Sequence, residues 1–221
     1  MAGAGRREPL NRGRVLAAAV ELADAIGIDA LSMRRLAQEL GVVPMALYKH
    51  VANKEQLLDG MVDAVLAEID PVGEGPWRGV VRARVLSARA ALLRHPWAAR
   101  VIETRPVPTA AVLAYLDAMA GAFRGGGLSV QLTHHVMHAM GSRLLGFSQE
   151  LFEAPGGSGS PPAAFVEAFP RLAELAEGGH DEASVVGGGC DDQFEFEFAL
   201  DLLLEGFARL HEAGWAPPVR G

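Results

Sequence analysis

The chain has 221 residues, enough for one or two domains with a sizeable core, and half of them are hydrophobic, which excludes an intrinsically disordered protein. No uninterrupted apolar run approaches the ~20 residues that a membrane span needs. The net charge of −7 divides unevenly, because residues 1–55 carry a balance of +2 and residues 56–221 a balance of −9. The basic groups therefore gather at one end, where they can meet an acidic partner.

The first 11 residues are rich in Gly and Arg and have no hydrophobic period. They are interpreted either as an unstructured tail or as a basic arm that touches nucleic acid. Arg6 and Arg7 resemble the start of an export signal, but no adequate apolar segment follows them. The single cysteine, Cys190, cannot form an internal disulfide, which fits the cytoplasmic location that we predict.

The first predicted helix begins at Asn11 or Arg12 and runs to about Ile26, where Gly27 ends it. Its apolar residues recur every three or four positions and form one core stripe. They are Val15, Leu16, Ala19, Leu22, Ala23 and Ile26. We expect this helix to brace the two short helices that follow.

Residues 32–51 contain those two short helices, separated by a glycine turn. Leu36 and Leu40 share a helical face, and Gly41 ends that helix because glycine accepts the left-handed conformation required there. Pro44 suits the first turn of the next helix, where its missing N–H is no loss. The pattern is that of a helix-turn-helix, which inserts its second helix into the DNA major groove.

The exposed side chains of this motif suit contact with DNA. Ser32 is predicted either to cap a helix or to bind phosphate, and Arg34 either to pair with a guanine edge or to meet phosphate or solvent. Tyr48 and His50, which we place at the end of the second helix, can contact DNA or serve only the packing. Met45 and its small or apolar neighbours suit thymine methyl groups. The predicted DNA-binding residues are Ser32, Arg34, Pro44, Met45, Ala46, Tyr48, Lys49, His50 and Lys54.

Two runs in this region resemble a known family. They read Leu31-Ser32-Met33-Arg34-Arg35-Leu36-Ala37-x-x-Leu40-Gly41-Val42 and Ala46-Leu47-Tyr48-x-His50-Val51-x-x-Lys54-Glu55-x-Leu57-Leu58. From about residue 15 to residue 58 the chain resembles the DNA-binding domain of tetracycline-repressor-type (TetR family) regulators. Val43 departs from the pattern, since the family often has Ser or Thr there. The recognition helix therefore lacks the usual N-cap, at a cost of roughly 1 kcal/mol.

A long helix, capped by Asn53, is predicted from Lys54 to Ile69. Lys54 can hold a phosphate beside the free backbone N–H groups of the first turn. In the family that the chain resembles, this helix links the DNA-binding head to the body and carries the signal between them.

Pro and Gly cluster at residues 71–76, which is the predicted domain boundary. We expect an all-α fold, with a three-helix helix-turn-helix domain at residues 1–70 and a larger helical effector-binding and dimerisation domain at residues 76–216. Helical patterns in the second domain lie at residues 77–94, 96–103, 109–124, 128–152 and 192–213.

In the helices predicted at residues 128–152 and 192–213, apolar residues cover a wide arc of the helix surface. One side of a small domain cannot bury so wide an arc, which indicates that a second surface packs against these helices. Phe194 to Phe198 alternates with Glu like a strand, but the helical pattern continues directly from it, so a helix is favoured. The resemblance implies that these two helices pair with those of a second subunit. Both arguments predict a homodimer with a four-helix interface.

Thr104-Arg105-Pro106 resembles the loop after the ligand-contacting helix of tetracycline repressors, so the later body resembles their effector domain. Val101 stands where those repressors carry a magnesium-binding histidine, which argues against a tetracycline–magnesium ligand. We expect no cofactor or metal, and a pocket for a small apolar or aromatic effector. The predicted effector-binding residues are Trp97, Val101, Met119, His134, Met137, His138, Met140 and Phe147. Taken singly, each of them fits ordinary packing or solvent exposure better.

A zinc-protease motif is excluded at His134 and His138, because it would need Glu where His135 stands. A metal, an effector contact and simple packing stay open for these histidines, with packing favoured. The predicted function is a ligand-responsive transcriptional regulator, a repressor released from a near-palindromic operator by its effector. The alternative is a constitutive or architectural DNA-binding protein. An enzyme is not expected, because no nucleophile–base pair is visible.

Overall fold

The computed structural model describes residues 9–145, 163–171, 174 and 192–218. Helices α1 to α10 span Arg12–Ile26, Met33–Glu39, Pro44–Leu47, Lys54–Leu66, Trp77–Arg94, Trp97–Thr104, Ala110–Gly125, Val130–Leu145, Ala163–Ala168 and Asp192–Glu212. A short 3-10 turn, Ile28–Ala30, follows α1. The described ranges contain no β-strand, so the predicted all-α class is confirmed. No helix in these ranges combines the length and the apolar character needed to cross a membrane.

Residues 1–137 and residues 138–221 form two compact units. The first contains α1 to α7 and the first half of α8, and the second contains the second half of α8, α9 and α10. The predicted boundary at residues 71–76 is a separate matter and stays a prediction. Those residues are non-helical between α4 and α5, as their Pro and Gly content indicates.

Helix α1 has the bounds that the sequence predicts, because polar and glycine residues fix both ends. The Asn11 side chain accepts a hydrogen bond from the Arg14 backbone N–H at 2.9 Å. Gly27 ends the helix at φ +80°, a conformation that costs glycine little. The two helices of the motif meet at Gly41, which has φ +65°, as predicted.

The core of the DNA-binding head is continuous with α6. Leu36, Leu47, Val51 and Leu57 are fully buried and belong to the same apolar cluster as Trp97 and Val101 of α6. Helices α1 and α4 approach closely at Gly60, where an added Cβ would lie 2.7 Å from the Leu16 side chain. The head is therefore packed directly against a helix of the body, within residues 1–137.

Two predicted helices differ from the structure at their ends. Helix α4 ends at Leu66 rather than Ile69, because the chain turns there through hydrogen bonds from Glu68 N–H to Val65 O and from Ile69 N–H to Leu66 O. Helix α8 is described as far as Leu145, so residues 146–152 of its predicted range lie outside the described residues. Residues 192–212 form a helix, as favoured over the alternating strand pattern.

Helix α10 carries apolar residues on two opposite faces. Phe196, Leu200 and Leu204 are buried, whereas Phe198 and Leu202 are 53% and 58% exposed. Within the second unit, the Arg143 guanidinium of α8 lies 4.8 Å from the centre of the Phe196 ring. One apolar face of α10 is thus covered within the chain and the other faces outwards.

Candidate DNA-binding surface and effector domain

The recognition helix α3 is a single turn, Pro44–Leu47. Pro44 occupies its first turn, and Val43 offers no side-chain hydrogen bond at the N-cap, as predicted. The expectation that Tyr48 and His50 end this helix is wrong, since α3 stops at Leu47 and both residues lie in the following turns. Asn53 then caps α4, which begins at Lys54.

This segment presents an exposed edge on a buried support. Val43, Met45 and Tyr48 are 67%, 71% and 44% exposed. Leu47 and Val51, in the same turns, are completely buried and anchor the segment to the head. Pro44 and Lys49 are exposed, whereas Ala46 and His50 are half-buried. We refer to Val43, Pro44, Met45 and Tyr48 as the reading edge.

Two helix N-termini flank the reading edge in the sequence. Ser32 caps α2 by accepting a hydrogen bond from Arg35 N–H at 3.3 Å, so its predicted capping role is observed. Asn53 caps α4 by accepting from Gln56 N–H at 2.8 Å, and Gln56 Oε1 accepts from Ala52 N–H in return. Arg34 and Lys54 are exposed in the first turns of these helices. At each helix N-terminus the exposed side chain provides positive charge, and the free backbone N–H groups provide hydrogen-bond donors for a phosphate.

The predicted effector residues lie in several parts of the described chain, and their role stays a prediction. Trp97 and Val101 belong to the core shared with the head, and Met119 is buried on α7. His134 and His138 are exposed on α8. Trp97, Val101 and Met119 therefore lie in buried surroundings, whereas His134 and His138 face solvent.

Two other predicted effector residues, Met137 and Met140, lie on α8. Met137 is half-buried and Met140 is buried, and Phe147 lies outside the described residues. The rings of His134 and His135 meet edge-on with centroids 5.3 Å apart. Among the described residues no three His, Cys, Asp or Glu side chains are grouped to hold a metal ion.

A groove of about 710 Å³ lies between the segment before α5 and the end of α7. Its lining includes Trp77, Val80, Ala118 and Ala122, and contains none of the predicted effector residues. Trp77 packs on Phe123, with ring centroids 5.6 Å apart, and an added Cβ at Gly126 would clash with Trp77. The groove is thus bounded by a tightly packed aromatic wall.

Buried polar atoms inside residues 1–137 were missed by the sequence reasoning. Asp63 Oδ1, Arg84 Nε and Tyr115 Oη are inaccessible to solvent and have no hydrogen-bond partner in the structure. The Arg84 guanidinium lies 5.0 Å from the centre of the Tyr115 ring. Buried polar atoms are rarely left unpaired, so these atoms mark positions for water or a polar ligand group. The sequence could have indicated such burial where a polar residue stands among apolar ones, as Asp63 does between Val62 and Val65.

The Thr-Arg-Pro loop makes a direct link to the DNA-binding head. Arg105 Nη2 lies 2.7 Å from Asp59 Oδ1 of α4, and the Arg105 side chain is only 18% exposed. Asp59 Oδ1 has no hydrogen-bond partner in the structure, so its attraction to Arg105 is mainly between charges. An ion pair therefore joins this loop to α4.

Comparisons with known proteins agree with this geometry. Residues 15–61 match the family "Bacterial regulatory proteins, tetR family", and residues 71–210 match "Tetracyclin repressor-like, C-terminal domain". The HTH-type transcriptional repressor DrrR1 of Streptomyces coeruleorubidus is 32% identical over 219 residues, covering 91% of this chain and 78% of that protein. The chain belongs to the TetR family.

Solved TetR-family structures include similar proteins with a ligand and with DNA. ActR from Streptomyces coelicolor, in complex with (S)-DNPA, has a TM-score of 0.66 and 27% identity, covering 92% of this chain and 100% of that chain. BioQ with its natural double-stranded DNA operator has a TM-score of 0.63 and 25% identity, covering 91% and 99%. This TetR-family chain is a ligand-responsive DNA-binding repressor, and its relatives are transcriptional regulators.

Proposed function

We propose that this TetR-family repressor acts as a homodimer whose two reading edges occupy successive major grooves of a near-palindromic operator. The observation that carries the proposal is the reading edge itself. Met45 and Tyr48 are held outwards by Leu47 and Val51, which are completely buried. An exposed apolar side chain is unfavourable in water unless a partner covers it, and base methyl groups in the major groove provide such a partner.

Phosphate contacts would fix this orientation. Ser32, Arg34 and Lys54 lie at the starts of α2 and α4, where N–H groups and positive charge favour an anion. Tyr48 can donate its phenolic hydrogen to a phosphate oxygen, and Lys49 is exposed beside it. Base specificity would then come from Pro44, Met45, Ala46 and His50, since phosphate contacts alone carry no sequence information.

The dimer interface is assigned to α8 and α10. The exposed face of α10 carries Phe194, Phe198 and Leu202, spaced four residues apart, which places them on one side of the helix. Covering this face with the same helices of a second subunit would remove three large apolar side chains from water. A two-fold axis between the subunits would place the two heads on a two-fold symmetric operator.

The effector is assigned as a small apolar or aromatic molecule that also carries polar groups. Within residues 1–137, Met119 offers an adaptable apolar wall, and the unpaired Asp63 Oδ1, Arg84 Nε and Tyr115 Oη atoms offer polar contacts. Effector binding would favour a body conformation in which the two heads are wrongly spaced for the operator, and only differential affinity for the two conformations can produce this release.

The predicted domain division, residues 1–70 for DNA and residues 76–216 for effector and dimerisation, belongs to this proposal. So do a cytoplasmic location, where chromosomal operators lie, and the lack of enzymatic activity. A purified sample assayed for metal content and hydrolysis of general ester and phosphate substrates checks the last point, since turnover would contradict it.

Selection of bound fragments from sheared genomic DNA tests the proposed function most directly. We expect recovered fragments to share a near-palindrome and to be released when an extract containing the effector is added. Recovery of unrelated fragments, with affinity that depends only on salt, would instead support an architectural DNA-binding protein.

A further inference from the structure

Helices α5 and α7 run antiparallel and meet at two aromatic contacts. Trp77, at the start of α5, packs on Phe123 near the end of α7, with ring centroids 5.6 Å apart. Arg84, two turns further along α5, holds its guanidinium 5.0 Å from the centre of the Tyr115 ring in the first half of α7. At 1.5 Å per residue, the two contacts are about 10 Å apart along α5. Each contact therefore marks one end of the same interhelical space.

The groove between the segment before α5 and the end of α7 occupies this space. Val80 of α5 and Ala118 of α7 belong to its lining. Arg84 comes four residues after Val80, and Tyr115 three residues before Ala118, so each lies one turn further along the same helix face. On the α7 side the lining consists only of Ala and Gly, and Trp77 contributes an indole on the α5 side. The space thus suits a flat aromatic body with a polar group at the Arg84 end.

The polar end is a cation without a counterion. Arg84 Nη1 donates to the backbone O of Asp70 at 2.6 Å, and Nε is buried without a partner. No carboxylate in the described part of the chain forms an ion pair with Arg84, and the Asp70 carboxylate accepts from Ser87 Oγ instead. The Tyr115 hydroxyl is also buried and unpaired, and it remains a donor because burial raises its pKa to about 12. A partly buried charge is unfavourable without an opposite charge, so this end of the groove favours an anion.

We propose that the groove between α5 and α7 binds an aromatic carboxylic acid as its anion, with the carboxylate at Arg84 and Tyr115 and the rings beside Trp77, and that this class of molecule is the effector. The inference rests on the proposed function and names the effector's class and orientation. A planar guanidinium matches a carboxylate in shape. Entry of the ligand would part the guanidinium from the phenol ring, so that Arg84 Nε–H and Tyr115 Oη–H both donate to the carboxylate.

The charges around the groove favour a single acidic group on the ligand. One guanidinium balances one negative charge, and Glu74, at the Trp77 end of the lining, opposes a second. A phosphate monoester carries nearly two negative charges at neutral pH, so a carboxylic acid is the better match.

Three probes that share one ring system and differ in charge test this class: β-naphthoate, β-naphthamide and β-naphthylmethylammonium. Calorimetric titration of the free full-length protein should give β-naphthoate an affinity about tenfold or more above that of the amide, as expected for hydrogen bonds to a charged group. The cation should bind more weakly than the amide. Failure of β-naphthoate to bind at millimolar concentration, or an amide that binds as tightly as the acid, overturns the proposal.

Arg84→Met should lower the affinity for β-naphthoate to that of the amide. Arg100→Met is the matched control, because it removes a 66%-exposed cation of α6 and should keep the preference for the acid. Circular dichroism checks that each variant is folded. An Arg84→Met protein that still prefers the acid overturns the assigned carboxylate contact.

Two glycines provide matched variants for the position of the rings. Gly121 lines the groove and Gly79 does not, and an added Cβ meets no atom within 4 Å at either residue. Both lie within helices, where leucine is more favourable than glycine, so both variants are expected to fold. Gly121→Leu should fill the groove and weaken β-naphthoate binding by about tenfold or more, whereas Gly79→Leu should not change it. Equal affinities of these two variants overturn the placement of the rings.

The indole N–H signals provide a readout that reports position directly, since the chain has three tryptophans. In ¹H–¹⁵N spectra β-naphthoate should shift the signal of Trp77 more than that of Trp97, which lies in the core shared with the head. An unmoved Trp77 signal at saturation overturns the proposal. These titrations need no DNA, so a protein that prefers the acid but binds no operator contradicts the proposed function and supports the anion site. Operator binding without a preference for the acid contradicts the anion site alone.

Discussion

The guanidinium of Arg84 lies 5.0 Å from the centre of the Tyr115 ring, and burial raises the pKa of Tyr115 to about 12 although the positive charge of Arg84 opposes this shift. The Tyr115 hydroxyl therefore stays neutral over the whole physiological range. It is a hydrogen-bond donor without a partner in the structure, placed beside a fixed positive charge. Within the proposed function, we assign this pair to contact with a polar group of the effector.

The raised pKa of Tyr115 predicts a loss of stability in alkali. The folded value lies above the ordinary value of about 10, so the contribution is complete below about pH 10 and is lost as pH rises towards about 12. Near pH 11 the loss is about 1 kcal/mol, and Tyr115→Phe removes it. Urea unfolding as a function of pH measures the difference, with Tyr48→Phe as the control. Parallel curves for wild type and Tyr115→Phe would contradict the assigned burial.

Lys54→Ala is expected to weaken operator binding and to lower the slope of log K against log salt concentration by about one, because one phosphate contact is lost. Arg209→Ala, which removes a 76%-exposed cation of α10, should leave both quantities unchanged. Anisotropy titrations at several salt concentrations provide the slope. An unchanged slope for Lys54→Ala would remove Lys54 from the DNA-binding surface.

Met45 is expected to contact thymine methyl groups. Replacing half-site thymines by uracil removes only those methyl groups and should weaken wild-type binding by about threefold to tenfold, as expected for the loss of a buried methyl group. Met45→Ala should be much less sensitive to the same replacement. Uracil placed outside the half-sites is the matched control. Equal sensitivity of both proteins would mean that another side chain contacts these methyl groups.

Phe198→Asp is expected to disrupt the homodimer, because it places a charge in the exposed apolar face of α10 that the second subunit would cover. Sedimentation equilibrium should then show monomers at concentrations where the wild type is dimeric. Val107→Asp changes an apolar residue that is more exposed, at 71% against 53% for Phe198, and lies outside α8 and α10, so it should leave the dimer intact. Dissociation by both variants would indicate general destabilisation.

Local patterns predicted the helices well because their ends depend on residues close in sequence. Helix α5 spans Trp77–Arg94 as predicted, and Gly41 adopts the positive φ that its position requires. The predicted end of α3 was wrong, because the helical spacing of Leu47 and Val51 continues through turns that are not α-helical. The spacing of apolar residues indicates which side chains are buried, and a segment can bury them without being a continuous helix.

The candidate site could be predicted only where it lies within one segment. The DNA-binding residues fall within a short stretch, so motif spacing places them together. The side-chain contact between Asp24 and His95 joins residues 71 positions apart, and no periodic pattern in the sequence can indicate such a contact. For the same reason the sequence did not indicate that Trp97 donates to Asp24, and its effector-binding role stays a prediction.

The central claim is that two copies of this chain bind one operator and that a ligand of the body reduces their affinity. Sedimentation velocity of a labelled, genomically selected duplex with increasing protein, with and without the effector-containing extract, measures both properties together. We predict one complex containing two chains per duplex, which the extract dissociates. A complex with one chain per duplex, or one that no extract fraction dissociates, would contradict the account.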